Sequence, residues 1–200
     1  VLAYALLAAA TLSKLVPVFV LPFFWQHGDR APSNRLRSLF SLSGRTPFLV
    51  FVVVISLGYM PYVNVEMHIF SGLTKYLNNW HFNDFFYSLF RSLLTLLTPS
   101  AAAYARWGCA LLMITAIGYA ARTAEDPLRA AYWSLGAYVL LSPTLHPWYL
   151  LWIMPFMPFF PSTAWLTLSV LVFLAYAVLI DYSLSGTWLE KPWVRWAQYL

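Results

Sequence analysis

Charged side chains are scarce: Asp, Glu, Lys and Arg make up 10% of the 200 residues, against about 25% in an ordinary soluble domain. With 61% hydrophobic residues there is too little polar surface to coat a globule, which excludes a soluble domain. Cysteine is nearly absent. The single Cys109 rules out an internal disulfide and a cysteine-based metal cluster, and within its apolar run it reads as a small buried packing residue. No sequence repeat of roughly 20 to 50 residues and no low-complexity tract is present, which speaks against a solenoid or an internally duplicated transporter. Val1 already lies inside an apolar run, with no Met, basic segment or small-residue cleavage site to suggest a signal peptide. We therefore expect further residues upstream and read the chain as the C-terminal part of a longer protein.

What the chain does have is long apolar runs. A hydrocarbon core of about 30 Å needs about 20 mostly apolar residues per helix, and the runs here suggest about five or six crossings. The expected fold is all-α, a polytopic transmembrane helix bundle forming a single domain over residues 1–200. Aromatic residues make up 19% of the chain, with 10 Trp and 13 Tyr, and such rings favour the two interfaces of a bilayer. The net charge of +5 does not point to nucleic acid as a partner. Arg30, Arg35, Arg37 and Arg45 gather in one polar loop, Gln26 to Arg45, opposed only by Asp29, and by the positive-inside rule that loop is cytoplasmic.

The first apolar run, Val1 to Trp25, is interrupted by Lys14 and Pro17, both unusual in hydrocarbon unless they face protein or a wet cavity. Pro47 to Val63 then leads outward to an external stretch, Asn64 to His81. From Phe82 to Thr98, apolar Phe85, Phe86, Leu89, Phe90, Leu93, Leu94 and Leu97 recur at helical spacing with Asp84, Ser88, Arg91 and Thr95 opposite. That pattern predicts an amphipathic helix lying in the outer interface. Ala101 to Ala121 crosses inward, a polar loop Arg122 to Arg129 follows, and Ala130 to Leu141 turns outward. Pro143, Pro147, Pro155, Pro158 and Pro161 predict irregular, proline-broken helix in the next stretch, and Thr163 to Ile180 forms a last crossing.

The most pointed local feature is His146-Pro147-Trp148-Tyr149, an imidazole beside a helix-starting proline and two interface aromatics. Two readings stand. His146 binds a phosphate with help from the amides of a first helical turn, or it is a satisfied polar group among belt aromatics. Trp80-His81-Phe82-Asn83-Asp84 also has two readings, a sugar-binding cluster or a helix start in which Asn83 or Asp84 is the N-cap. Lys75 and Arg91 suit anionic headgroups. Glu66 and His68 lack a convincing third ligand, so no metal is expected, and Trp188, Trp193 and Trp196 with Lys191 and Arg195 read as an interface anchor, although aromatics also stack on sugars.

Leu141-Ser142-Pro143-Thr144-Leu145-His146-Pro147-Trp148-Tyr149-Leu150-Leu151-Trp152 resembles a signature of bacterial polyprenyl-phosphate-dependent glycosyltransferases of the GT-C fold. The likeness is greatest to the mannosyltransferase-like group related to phosphatidylinositol-mannoside and lipomannan enzymes. Thr11-Leu12-Ser13-Lys14-Leu15-Val16-Pro17 resembles that group's membrane-embedded Lys-x-x-Pro segment, and Gly72-Leu73 through Tyr76 to Trp80-His81-Phe82-Asn83 resembles its outer-loop segment. The resemblance implies transfer of a hexose, with mannose the family-level expectation, from a polyprenyl-phosphate sugar donor to a lipid or glycan acceptor. The setting it implies is the extracytoplasmic face of the bacterial cytoplasmic (inner) membrane, among membrane lipids and without a cofactor. The catalytic base would be an aspartate upstream of Val1, so the fragment is expected to be inactive alone, with Asp84 a weak candidate within it. His146 and Lys14 would hold the donor phosphate, and Trp80, His81, Asn83, Trp148 and Tyr149 would contact sugar or lipid. A membrane transporter or lipid flippase is the competing class, with polar groups lining a path at mid-membrane; a structural assembly subunit is a third.

Overall fold

A computed structural model describes residues 1–23 and 42–199. The arginines at 30, 35 and 37 fall outside the described residues, and nothing is placed for the side chains of Arg45 or Glu66. The described residues are helical, with no strand beyond an isolated bridge, as expected of an all-α membrane bundle. Among the described residues, three helical stretches are long and apolar enough to cross a membrane: Thr46–Val65, Ala101–Thr123 and Thr163–Ser185. Leu2–Ser13 is a shorter apolar helix. The helix Leu2–Ser13 has 12 residues, about 18 Å at 1.5 Å per residue, and stops where Lys14 turns extended ahead of Pro17. The helix Pro127–Leu141 has 15, and the Ser142–Thr144 segment that follows it is not helical.

The chain divides into two compact units, Val1–Thr74 with Ile117–Ser134, and Lys75–Ala116 with Leu135–Leu200. In the first, Leu2–Ser13 packs on Leu42–Tyr59 through Tyr4, Leu7, Ala8 and Phe51. The two helices approach closely at Gly58, where a Cβ would lie 2.6 Å from the Leu12 side chain. Helical order then tightens to a 3-10 form over Met60–Phe70 after Pro61 enters the first turn, consistent with the loss of a backbone donor at proline.

In the second unit, the amphipathic stretch begins later than the apolar periodicity suggests. The helix is Phe86–Thr95, because Phe82 is drawn into a backbone bridge with Thr144 and Asn83 adopts a left-handed φ of 51°. Neither Asn83 nor Asp84 caps it. Phe85 occupies the N-cap position without a side-chain bond, and Asp84 instead accepts from the Ser88 hydroxyl one turn on. The inner face of this helix buries Tyr87 against Ala105 and Cys109, with Phe86, Phe90 and Leu94 around them, so Cys109 is the packing residue its sequence context suggested. Leu89, Leu93, Leu96 and Leu97 stay exposed. Farther along, Ser162 caps Thr163–Leu171 by accepting from the Trp165 amide. Gly186, with φ 68°, closes the helix Ala177–Ser185 in a conformation other residues adopt at a cost.

Tyr87 is 1% exposed and lies under the Arg106 guanidinium, 4.9 Å from its ring centre. Truncation there opens a cavity, so Tyr87→Ala is expected to cost about 3 kcal/mol, read as a lower Tm of the complete protein in detergent micelles. An unchanged melting curve would contradict this packing.

Candidate functional site

The site is built on Phe82. Its amide donates to the Pro143 carbonyl at 3.0 Å and its carbonyl accepts from the Leu145 amide at 2.8 Å. These two bonds hold side by side two stretches that lie about sixty residues apart in the sequence, each singled out there. The Phe82 ring then packs on the His146 imidazole, with centres 4.9 Å apart. On its other side His146 is stacked by Trp148 at 4.3 Å and 7°, and the edge of Tyr149 completes the enclosure at 5.6 Å. The reason is local: Pro147 starts a 3-10 turn, Pro147–Trp152, whose tight winding brings residues 146, 148 and 149 together. Burial lowers the pKa of His146 below the usual 6.5, since desolvation penalises the cation. The imidazole is therefore neutral at pH 7, a donor and acceptor of hydrogen bonds and not a standing positive charge.

A third stretch joins at Tyr149, whose hydroxyl lies 2.9 Å from that of Tyr76. Burial, and then this bond, raise the Tyr149 pKa well above its ordinary value. Tyr76 sits on the helix Ser71–Asn79, beside the Trp80 ring at 6.1 Å. The backbone leading into Trp80 is pinned by Arg106, which donates to the carbonyls of Leu77 at 2.9 Å and Trp80 at 3.0 Å.

Behind Phe82 lies a buried polar cluster. Asn83 is 3% exposed; its amide group donates to the Gln198 side chain at 2.9 Å and the Leu145 carbonyl at 3.4 Å, and its backbone N–H donates to Glu190 at 3.0 Å. Asp84 has no exposed surface. One of its oxygens accepts from Ser88, which also accepts from Arg195, and the other lies 3.5 Å from Nδ1 of His81. Four buried polar atoms here, Asn83 Oδ1, Asp84 Oδ2, Arg195 Nε and Gln198 Nε2, have no hydrogen-bond partner within the protein.

In front of the cluster is an open cleft of about 480 Å3 lined by Asn79, Trp80, His81, Trp188, Leu189, Glu190 and Arg195. It joins Trp80 and His81, expected from the sequence, to Trp188, Glu190 and Arg195. The sequence offered Trp188 and Arg195 as an interface anchor and gave no sign of Glu190, because the partners lie more than a hundred residues from Asn83. Of the other expected site residues, Trp148 is exposed and Tyr149 half-buried. Lys14 belongs to the first unit, exposed just past the end of the helix Leu2–Ser13.

Asn83 combines a positive φ with contacts to three segments. Asn83→Gly keeps the backbone geometry and loses the amide contacts, whereas Asn83→Val loses both. We expect Val to lower the Tm of the complete protein more than Gly does, by thermal unfolding in micelles; the reverse order would contradict the conformation at this residue.

No curated protein and no solved structure matches the chain. The family model of the MptB C-terminal domain matches residues 88–200, more than half of the sequence. That span contains His146, Trp148, Tyr149, Trp188, Glu190 and Arg195, one side of the pairing, while Phe82 and the Trp80–Asp84 stretch precede it. The chain belongs to the MptB C-terminal domain family, a group of mannosyltransferase-like membrane proteins.

Proposed function

We propose that this chain forms part of a membrane mannosyltransferase that takes its sugar from a polyprenyl-phosphate carrier and passes it to a lipid or glycan acceptor at the extracytoplasmic face of the bacterial inner membrane. The observation that carries this reading is the pairing at Phe82, which sets the His146 enclosure beside the Trp80–Asp84 stretch. Family membership supports it independently.

In this reading His146 meets the phosphate of the donor. The leaving group of such a transfer is a lipid phosphate, and a donor hydrogen bond or a cation aimed at it stabilises the charge that grows as the glycosidic bond breaks. Trp148, exposed and stacked on His146, and Tyr149 offer apolar faces to the isoprenoid or the sugar. Trp80 and His81 contribute to sugar recognition. Asp84, sealed from solvent and bonded to Ser88, does not serve as the base, and Asn83 acts by holding the two loops in register. The exposed leucines of the helix Phe86–Thr95 and the turn after it lie in the outer interface beside the site.

The depressed pKa of His146 makes the reading testable. A lowered histidine pKa means that the neutral form stabilises the fold above the unfolded value of 6.5, and that this contribution is lost as pH falls through the folded value. A bound phosphodiester, which carries its charge throughout this range, favours the imidazolium and raises the pKa again. Donor binding then takes up a proton, so affinity rises on acidification between the two values. Binding of a polyprenyl-phosphate mannose donor to the complete protein in nanodiscs should tighten as pH is lowered from about 7.5 toward about 6, and His146→Gln should abolish that dependence. Sugar transfer by His146→Ala in the complete protein should be lost while the fold is kept. Equal affinities at every pH in the wild type and the Gln variant would overturn the assignment of His146.

A further inference from the structure

We propose that Tyr149 is a positioning residue: its hydroxyl, bonded to those of Tyr76 and Tyr138, fastens the loop that carries His146 and so sets the plane of the imidazole. The inference rests on the assignment of His146 to the donor phosphate and adds the groups that aim it. Residues 142–146 are not helical; they join the helix Pro127–Leu141 to the 3-10 turn Pro147–Trp152. Tyr138 stands in the last turn of that helix and Tyr149 in the turn beyond the loop. Their rings stack, with centres 6.1 Å apart and planes 27° from parallel, and their hydroxyls are hydrogen-bonded. The loop is thus closed at its base. Tyr138 also bonds the Ser142 hydroxyl, which accepts from the Thr144 amide at 3.3 Å. Tyr76, on the helix Ser71–Asn79, brings a third segment to the same point, its hydroxyl 2.9 Å from that of Tyr149.

The hydroxyls of Tyr76, Tyr149, Tyr138 and Ser142 therefore form one chain, and members of such a chain strengthen one another by polarisation. Tyr149 is the member that joins the outer helix to the base of the loop. Simple packing of belt aromatics explains the rings but not the hydroxyls, since phenylalanine would fill the same space and stack as well. Bonds to two tyrosines also use most of the hydrogen-bonding capacity of the Tyr149 hydroxyl, so that group serves the protein and not a substrate. The held ring then forms one wall of the His146 enclosure, edge-on at 5.6 Å and 76°. Of the three rings against the imidazole, Phe82, Trp148 and Tyr149, only Tyr149 titrates, and burial keeps its phenol protonated. It acts on His146 by shape and not by charge. An imidazole fixed in this way needs no reorganisation as charge grows on a leaving phosphate.

The test uses the complete protein in nanodiscs. His146 is titrated by NMR with isotope-labelled histidine, its signal assigned by loss in His146→Gln. Tyr149→Phe keeps the ring and removes both bonds, so water should reach the loosened imidazole and the His146 pKa should move up toward the ordinary 6.5. Tyr76→Phe, which spares the bond to Tyr138, should move it less. Added to Tyr149→Phe, it should change nothing further, because the bond it removes is already gone. The kcat of sugar transfer from a polyprenyl-phosphate mannose donor should fall about tenfold in Tyr149→Phe through misalignment. A tyrosine with a structural role alone predicts a lower Tm and an unmoved His146 titration in the folded protein. That result, additive effects of the two substitutions, or an undiminished kcat in Tyr149→Phe overturns the proposal. The two levels separate. Transfer by the wild type with an unmoved titration rejects the fastener alone, whereas a moved titration in a wild-type protein that transfers nothing from this donor rejects the donor reading and leaves the fastener standing.

Discussion

Two backbone hydrogen bonds at Phe82 organise the second unit. Neither belongs to a helix, and Phe82 and Leu145 are both buried, where a backbone polar group needs a partner inside the protein. Phe82 finds both partners in the Pro143–Leu145 segment, where Pro143 and Pro147 prevent helix from continuing. Each irregular stretch thus satisfies the other. The cost of breaking helix twice is met in one place, and that place is where the imidazole, the tryptophans and the buried carboxylate gather.

The consequences spread outward from that pairing. Asn83 is turned through a positive φ, which sends its amide toward Leu145 and Gln198 and its backbone N–H toward Glu190. The C-terminal helix Pro192–Tyr199 is thereby tied to the loop, reinforced by Phe85 stacking on Tyr199 at 4.9 Å and meeting Trp196 edge-on at 5.5 Å. Asp84 follows Asn83 into the interior, where one carboxylate oxygen lies 3.5 Å from Nδ1 of His81. The polar face read from the periodicity at Asp84 and Ser88 therefore does not face water; it meets Arg195.

Much of the fold was legible in the sequence, for simple reasons. The apolar runs at Pro47–Val63, Ala101–Ala121 and Thr163–Ile180 depend on composition and length alone, and each corresponds to a long apolar helix. The amphipathic character of the Phe86–Thr95 helix follows from local spacing, as does the irregularity around Pro147. Composition does not show where helix stops: Lys14 turns extended and ends the first apolar helix early, while the helix that begins at Pro127 ends at Leu141, where the apolar run does. The site was legible only in halves. His146, Trp148 and Tyr149 are local to one turn, and Trp80 and His81 to another. The junction between them is made by main-chain groups, which carry no residue signature. Glu190 and Gln198 meet Asn83 across more than a hundred residues, a relation that no local pattern encodes.

The pairing itself is open to direct measurement, independent of any substrate. Amide hydrogen exchange, followed by mass spectrometry on the complete protein in nanodiscs, reports whether the Phe82 and Leu145 amides are bonded. Both lie outside helices, so unpaired they would exchange as quickly as other loop amides. Slow exchange at Phe82 and Leu145 together in the wild type, with Phe82 becoming fast when Leu145→Pro removes the second donor, is the predicted result. Rapid exchange at either position in the wild-type protein would contradict the architecture on which the site rests.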